Sequence, residues 1–136
     1  MDYMHIIDKY LQESINLEKR FIIHIHDARN TNRHYDLRIL NPYNDKELMS
    51  FAFGKDFEKE YTKKIAGVRT KDHDPRWLDL KSYRLETFDE GTVTFRTYSY
   101  KYMALNFNGK KIKGNYKLFK VKSDRDDNWL LIKAKD

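Results

Sequence analysis

Residues 21–40 read FIIHIHDARNTNRHYDLRIL, and this stretch decides the fold. Along a strand successive side chains point to opposite faces, so Phe21, Ile23 and Ile25 fall on one side and Ile22, His24 and His26 on the other. A second run repeats the pattern, with Tyr35, Leu37 and Ile39 on its apolar side and His34, Asp36 and Arg38 on its polar side. The connecting DARNTNR is polar, and the pairing it predicts is a hairpin. Paired in this way, the histidines, a carboxylate and a guanidinium meet on one surface. Imidazoles and a carboxylate bind divalent metals, and an arginine beside them suits a phosphate. A solvated polar face that happens to contain histidines would show the same alternation.

Working outward, the remaining sequence predicts further short strands. They fall at Leu48–Phe53, Ile65–Thr70, Tyr83–Thr87, Thr92–Tyr98, Met103–Phe107, Gly114–Val121 and Trp129–Lys133, separated by polar turns such as NPYNDKE, NGKK and SDRDDN. Strands recurring at this spacing with little helix predict a mainly β protein, a compact antiparallel barrel. Residues 2–17 predict a helix, with Tyr3, Ile7, Tyr10 and Leu11 on one face and Asp2 placed to cap it. One domain is expected over 1–136, the helix at about 2–17 and the barrel at about 20–136. DFEKEYTKK reads as a charged, exposed segment, and KDHDPRW as a polar loop carrying His73.

Composition narrows the function. The chain has 136 residues, 40% hydrophobic and 15% aromatic, which suits a folded β-rich globule rather than a disordered chain. The net charge of +6 favours polyanionic partners. There is no cysteine, which excludes disulfides, thiolate metal sites and thiol nucleophiles. No apolar run reaches a membrane span and the N-terminus lacks a signal-peptide pattern, so a cytoplasmic, membrane-free protein is expected. No Gly-rich phosphate loop, G-x-S-x-G elbow or HExxH motif occurs.

His26, His34 and Asp36 form the sharpest constellation. A two-His, one-carboxylate set leaves open positions for water and substrate oxygens. His24 shares their face and reads as a fourth ligand, a supporting group or a phosphate contact. Arg38 reads as a phosphate clamp, against the plainer alternative of a cross-strand ion pair. Lys55, after Gly54 at a strand end, could reach a phosphate, and His73 between two aspartates is a further candidate functional residue. Each is also an ordinary surface residue.

Several stretches together resemble the 3′-phosphoesterase domain of the DNA ligase D family. Its H-D/H-A-R and H-Y-D-hydrophobic-R pattern is matched by His26-Asp27-Ala28-Arg29 and His34-Tyr35-Asp36-Leu37-Arg38. A strand ending in lysine is matched by Ser50 to Lys55, and a D-H-P-x-x-Y loop by Asp72 to Trp77. The G-T-V strand stands at Gly91-Thr92-Val93. The C-terminal signatures stand at Gly109 to Gly114 and at Asn128 to Lys133. The match runs in order over roughly 20–136.

The resemblance implies a manganese-dependent enzyme that trims DNA or DNA–RNA 3′ ends in repair by non-homologous end joining. Such an enzyme removes a terminal ribonucleoside and then a 3′-phosphate, leaving a hydroxyl for an associated ligase or polymerase. It implies a metal held by His26, His34 and Asp36, with Zn²⁺ or Co²⁺ able to use the same donors. Arg38 and His73 would contact the scissile phosphate. His24 stands where the family has a glutamine, and Lys55 where it has a functional lysine. Three departures stand against it. The spacing between His26 and His34 is longer, Trp77 replaces a tyrosine, and the family's N-terminal Arg-Asp pair has no counterpart. They weigh against the monoesterase step. They also motivate a rival, a catalytically degenerate nucleic-acid-binding domain of the same fold. A cupin-like oxygenase also carries HxH on a barrel strand, but the Tyr-Asp-Leu-Arg continuation is not cupin-like.

Overall fold

The computed structural model describes residues 15–26, 33–80, 85–125 and 127–135. Eight antiparallel strands close into a barrel: β1 (Leu17–His26), β2 (His34–Asn41), β3 (Asn44–Phe53), β4 (Lys64–His73), β5 (Leu85–Ser99), β6 (Tyr102–Gly109), β7 (Lys113–Lys120) and β8 (Asn128–Lys133). Around the barrel they run β1-β2-β3-β4-β8-β7-β6-β5, and β5 pairs back onto β1. Closure leaves no free sheet edge among the described strands. The predicted barrel is therefore observed. The predicted helix at 2–17 lies almost wholly outside the described residues, and at its end Leu17 already belongs to β1.

Alternation places the core as the sequence predicts. Phe21, Ile23 and Ile25 of β1 and Tyr35, Leu37 and Ile39 of β2 point inward with Phe51, Val93, Phe95, Leu105, Leu118 and Leu131, all buried. The charged segment DFEKEYTKK departs from expectation. It contains a single helical turn, α1 (Phe57–Glu60), whose Phe57 is fully buried. That ring stacks on Tyr35 with centroids 5.2 Å apart and meets Phe53 and Phe88, closing one end of the barrel. One apolar ring amid charges carries no periodic signal, so only the fold reveals it.

The two strands predicted at Tyr83–Thr87 and Thr92–Tyr98 are one, the 15-residue β5. Gly91, just before the second of the two predicted stretches, sits opposite both Phe21 and Gly109. A side chain there would collide with the Asn108 carbonyl of β6, so the glycine permits close approach instead of ending the strand.

Asp89 anchors this region. Its buried carboxylate accepts four backbone N–H bonds, from Glu90, Lys110, Lys111 and Ile112, at 2.8–2.9 Å. It thereby fixes the β6–β7 turn from the neighbouring strand β5.

Outside the barrel, a 3₁₀ turn at Pro75–Leu78 lies over β1 and β3. Asp74 caps it by accepting from Arg76 N at 2.9 Å. Ile22, Leu48 and Leu78 form a second small core beneath it, joined by Leu40 and Trp77. This cover converts part of an outward sheet face into a groove.

Candidate active site

The groove is built rung by rung from strand register. His26 pairs with His34, His24 with Asp36 and then Ala52, and Arg38 with Ser50 and then Thr70. All these side chains lie on the outer face, opposite the apolar core positions. A hollow of about 450 Å³ opens between them and the 3₁₀ turn, lined by His26, His34, Asp36, Arg38, His73 and Trp77 with Ala52, Thr70, Leu80 and Leu85.

His26 Nδ1 lies 3.0 Å from His34 Nε2, and Asp36 Oδ2 lies 3.3 Å from His34 Nε2 and 4.0 Å from His26 Nδ1. Metal–ligand bonds of about 2.1 Å put neighbouring donors on the order of 3 Å apart in an octahedron, so the set has the spacing of a coordination shell. Among the described residues it is the one group of three or more His, Asp or Glu side chains so arranged. The histidines are partly exposed and the aspartate is buried, so the cluster opens outward. The donor chemistry fits a divalent ion with open positions.

Arg38 is 4% exposed. Its Nη1 sits 3.6 Å from Asp36 Oδ2 and 3.2 Å from His24 Nδ1, and its guanidinium lies over the Trp77 ring at 4.7 Å. Guanidinium has no acceptor, so Arg38 donates to His24 Nδ1, which places that ring's proton on Nε2. Burial pushes the Arg38 pKa down, opposed by Asp36. An arginine still remains charged. Among the described residues its Nε has no hydrogen-bond partner. A buried, permanent cation with an unmet donor beside an open hollow is suited to an anion.

His73 was expected on a loop but ends β4. Ser50 pairs with Thr70, whereas Leu48 pairs with His73, one residue beyond the register that Ser50 sets. This bulge reverses the alternation. Residues 70 and 73 would otherwise face opposite ways, and the extra residue brings both to the groove. His73 Nδ1 lies 3.0 Å from Ser50 Oγ, and its ring meets Trp77 edge-on at 4.9 Å. Burial, then the nearby Arg38 charge, push its pKa below the ordinary value.

The structure thus brings together His26, His34, Asp36, Arg38, His73 and Trp77, with the buried His24 bonded to Arg38. It does not bring Lys55, which lines a separate hollow with Gly54, Asp56, Glu60 and Lys64. Lys55 follows the end of β3, and the chain turns there into α1, away from the groove. Sequence reasoning missed Ser50, Thr70, Leu80 and Leu85. A faint signal existed for Ser50, because LMSFAF puts the small residues Ser50 and Ala52 on one face between the aromatics.

No protein-family model matches this chain, and no curated protein matches it either.

Proposed function

We propose that this protein is a metal-dependent phosphoesterase that processes 3′ ends of DNA or DNA–RNA, removing a terminal ribonucleoside. The observation that carries the reading is the arrangement of His26, His34 and Asp36, with donor atoms within 4.8 Å of one another, beside the buried Arg38 in one groove. The ordered sequence resemblance to the ligase D phosphoesterase domain supports the same chemistry. The positive net charge suits a polyanionic substrate.

His26, His34 and Asp36 would hold the ion, with Mn²⁺ proposed and Zn²⁺ or Co²⁺ compatible with the same donors. A divalent ion there supplies charge neutralisation at a phosphate oxygen. Arg38 presents a fixed positive charge, held by Asp36, His24 and Trp77, so little reorganisation is needed as negative charge develops on the phosphate. His73, held by Ser50, serves at neutral pH as an uncharged hydrogen-bonding group, since its pKa is lowered. That argues against its acting as a proton donor in the free protein. His24 acts through Arg38 as a positioning residue. Lys55 carries no part in this proposal. An associated ligase or polymerase is the proposed consumer of the hydroxyl end.

The test is release of a 3′-terminal ribonucleoside from a recessed strand in Mn²⁺ and in excess chelator. Manganese-dependent release supports the reading. Tight, salt-sensitive binding of the same duplex without any release would favour the non-catalytic rival.

A further inference from the structure

The groove has an apolar lining as well as a polar one. Trp77, Leu80 and Leu85 line it among the polar groups, with Leu85 paired across from His26 and Trp77 against Arg38 and His73. Its volume of about 450 Å³ is far more than a phosphate group fills, and falls in the range of about 300–1,000 Å³ typical of pockets for organic ligands. Leu80 is 40% exposed, the one aliphatic among the large exposed hydrophobic residues described. Trp77 is held in place rather than mobile. It sits within a capped 3₁₀ turn, packs on Ile22, Leu48 and Leu78, and has its ring against Arg38 and His73.

We infer that Trp77, with Leu80 and Leu85, is the platform that takes the base of the 3′-terminal nucleoside, so that the site selects a phosphate bearing a nucleoside over a bare phosphate or an alkyl phosphoester. This rests on the phosphoesterase reading and names the part of the substrate that reading leaves open. An indole and two leucines offer stacking and apolar contact without directional hydrogen bonds. Every base presents a π face, so the preference is for a nucleoside and is insensitive to which base. Because packing fixes the indole before binding, little side-chain entropy is lost on contact. Its neighbour Arg38 then meets the phosphate attached to the same nucleoside.

Intrinsic fluorescence gives a direct test. The chain has two tryptophans, and Trp129 is buried in the barrel at 2% exposure, so quenching by a ligand reports Trp77. Adenosine 5′-monophosphate, which carries its phosphate where the terminal nucleoside carries the scissile one, and inorganic phosphate are titrated separately into the full chain. The nucleotide is expected to quench and to bind about tenfold or more tightly than inorganic phosphate, the worth of one stacked base. Isothermal titration calorimetry reads the variants that lack the reporting indole: Trp77→Ala should bring the two affinities together while Trp129 emission stays that of an intact core, and Trp77→Phe should retain the preference. Leu80→Ser should reduce it. Equal affinity in the wild type, no binding of either ligand, or a preference that survives Trp77→Ala overturns the inference. Cleavage assayed alongside separates the two claims. Equal metal-dependent cleavage of nucleoside-terminated and alkyl-terminated phosphodiesters leaves the phosphoesterase reading standing and overturns this one.

Discussion

His73 stands opposite Leu48, one residue out of the register that Ser50 and Thr70 set. That slip turns an imidazole from the core side of β4 to the groove side, where burial and Arg38 disfavour its protonated form. A pH dependence of stability follows. Above the ordinary histidine value of 6.5 the ring is neutral in folded and unfolded chains alike. As pH falls below it, the unfolded chain takes up a proton that the folded site refuses, so stability is lost until the folded ring also protonates. Urea unfolding at pH values from roughly 7.5 to 5 should show His73→Gln losing less stability than the wild type over that window. Parallel losses would contradict the assignment.

The metal cluster predicts a binding difference independent of turnover. Mn²⁺ held by His26, His34 and Asp36 should be immobilised in electron paramagnetic resonance titrations and should raise the melting temperature. At about 100-fold excess over the dissociation constant the stabilisation is about 2.7 kcal/mol. His34→Ala, at a partly exposed position, should abolish both effects without unfolding the chain.

Arg38 should not tolerate even a conservative change. Lysine keeps the charge but cannot reproduce the planar contact with Trp77 and the approach to both Asp36 and His24. Arg38→Lys is expected to lower the cleavage rate on the order of 10²-fold, with Mn²⁺ affinity largely retained. Steady-state rates and the resonance titration check the two halves separately.

Asp89 predicts a stability effect remote from the groove. Removing its carboxylate leaves four backbone N–H groups of the β6–β7 turn and β5 without their acceptor. Asp89→Ala should cost about 2–4 kcal/mol in urea unfolding. Gly109→Ala should also destabilise, because a side chain there meets both Asp89 and Phe21.

The barrel and the heart of the site were legible because both follow from the two-residue period of a strand. His24, His26, His34, Asp36 and Arg38 share a face by parity alone, and Phe21 to Ile25 and Tyr35 to Ile39 fill the core by the same rule. What parity cannot see is a bulge, so His73 read as a loop residue. Nor does it show that the stretches on either side of residues 88–91 run on as one strand. Phe57, Asp89 and Lys55 depend on where a turn sends the chain, and no local pattern carries that.

The central claim is that hydrolysis of a 3′ phosphoester occurs at His26, His34 and Asp36. It is tested most directly by single-turnover release of a 3′-terminal ribonucleoside at saturating Mn²⁺, comparing the wild type with Asp36→Asn, which keeps the side-chain shape beside Arg38 while removing the negative donor. The account predicts metal-dependent release by the wild type and loss of at least about 10²-fold in the variant. Release by Asp36→Asn at a near-native rate would contradict it.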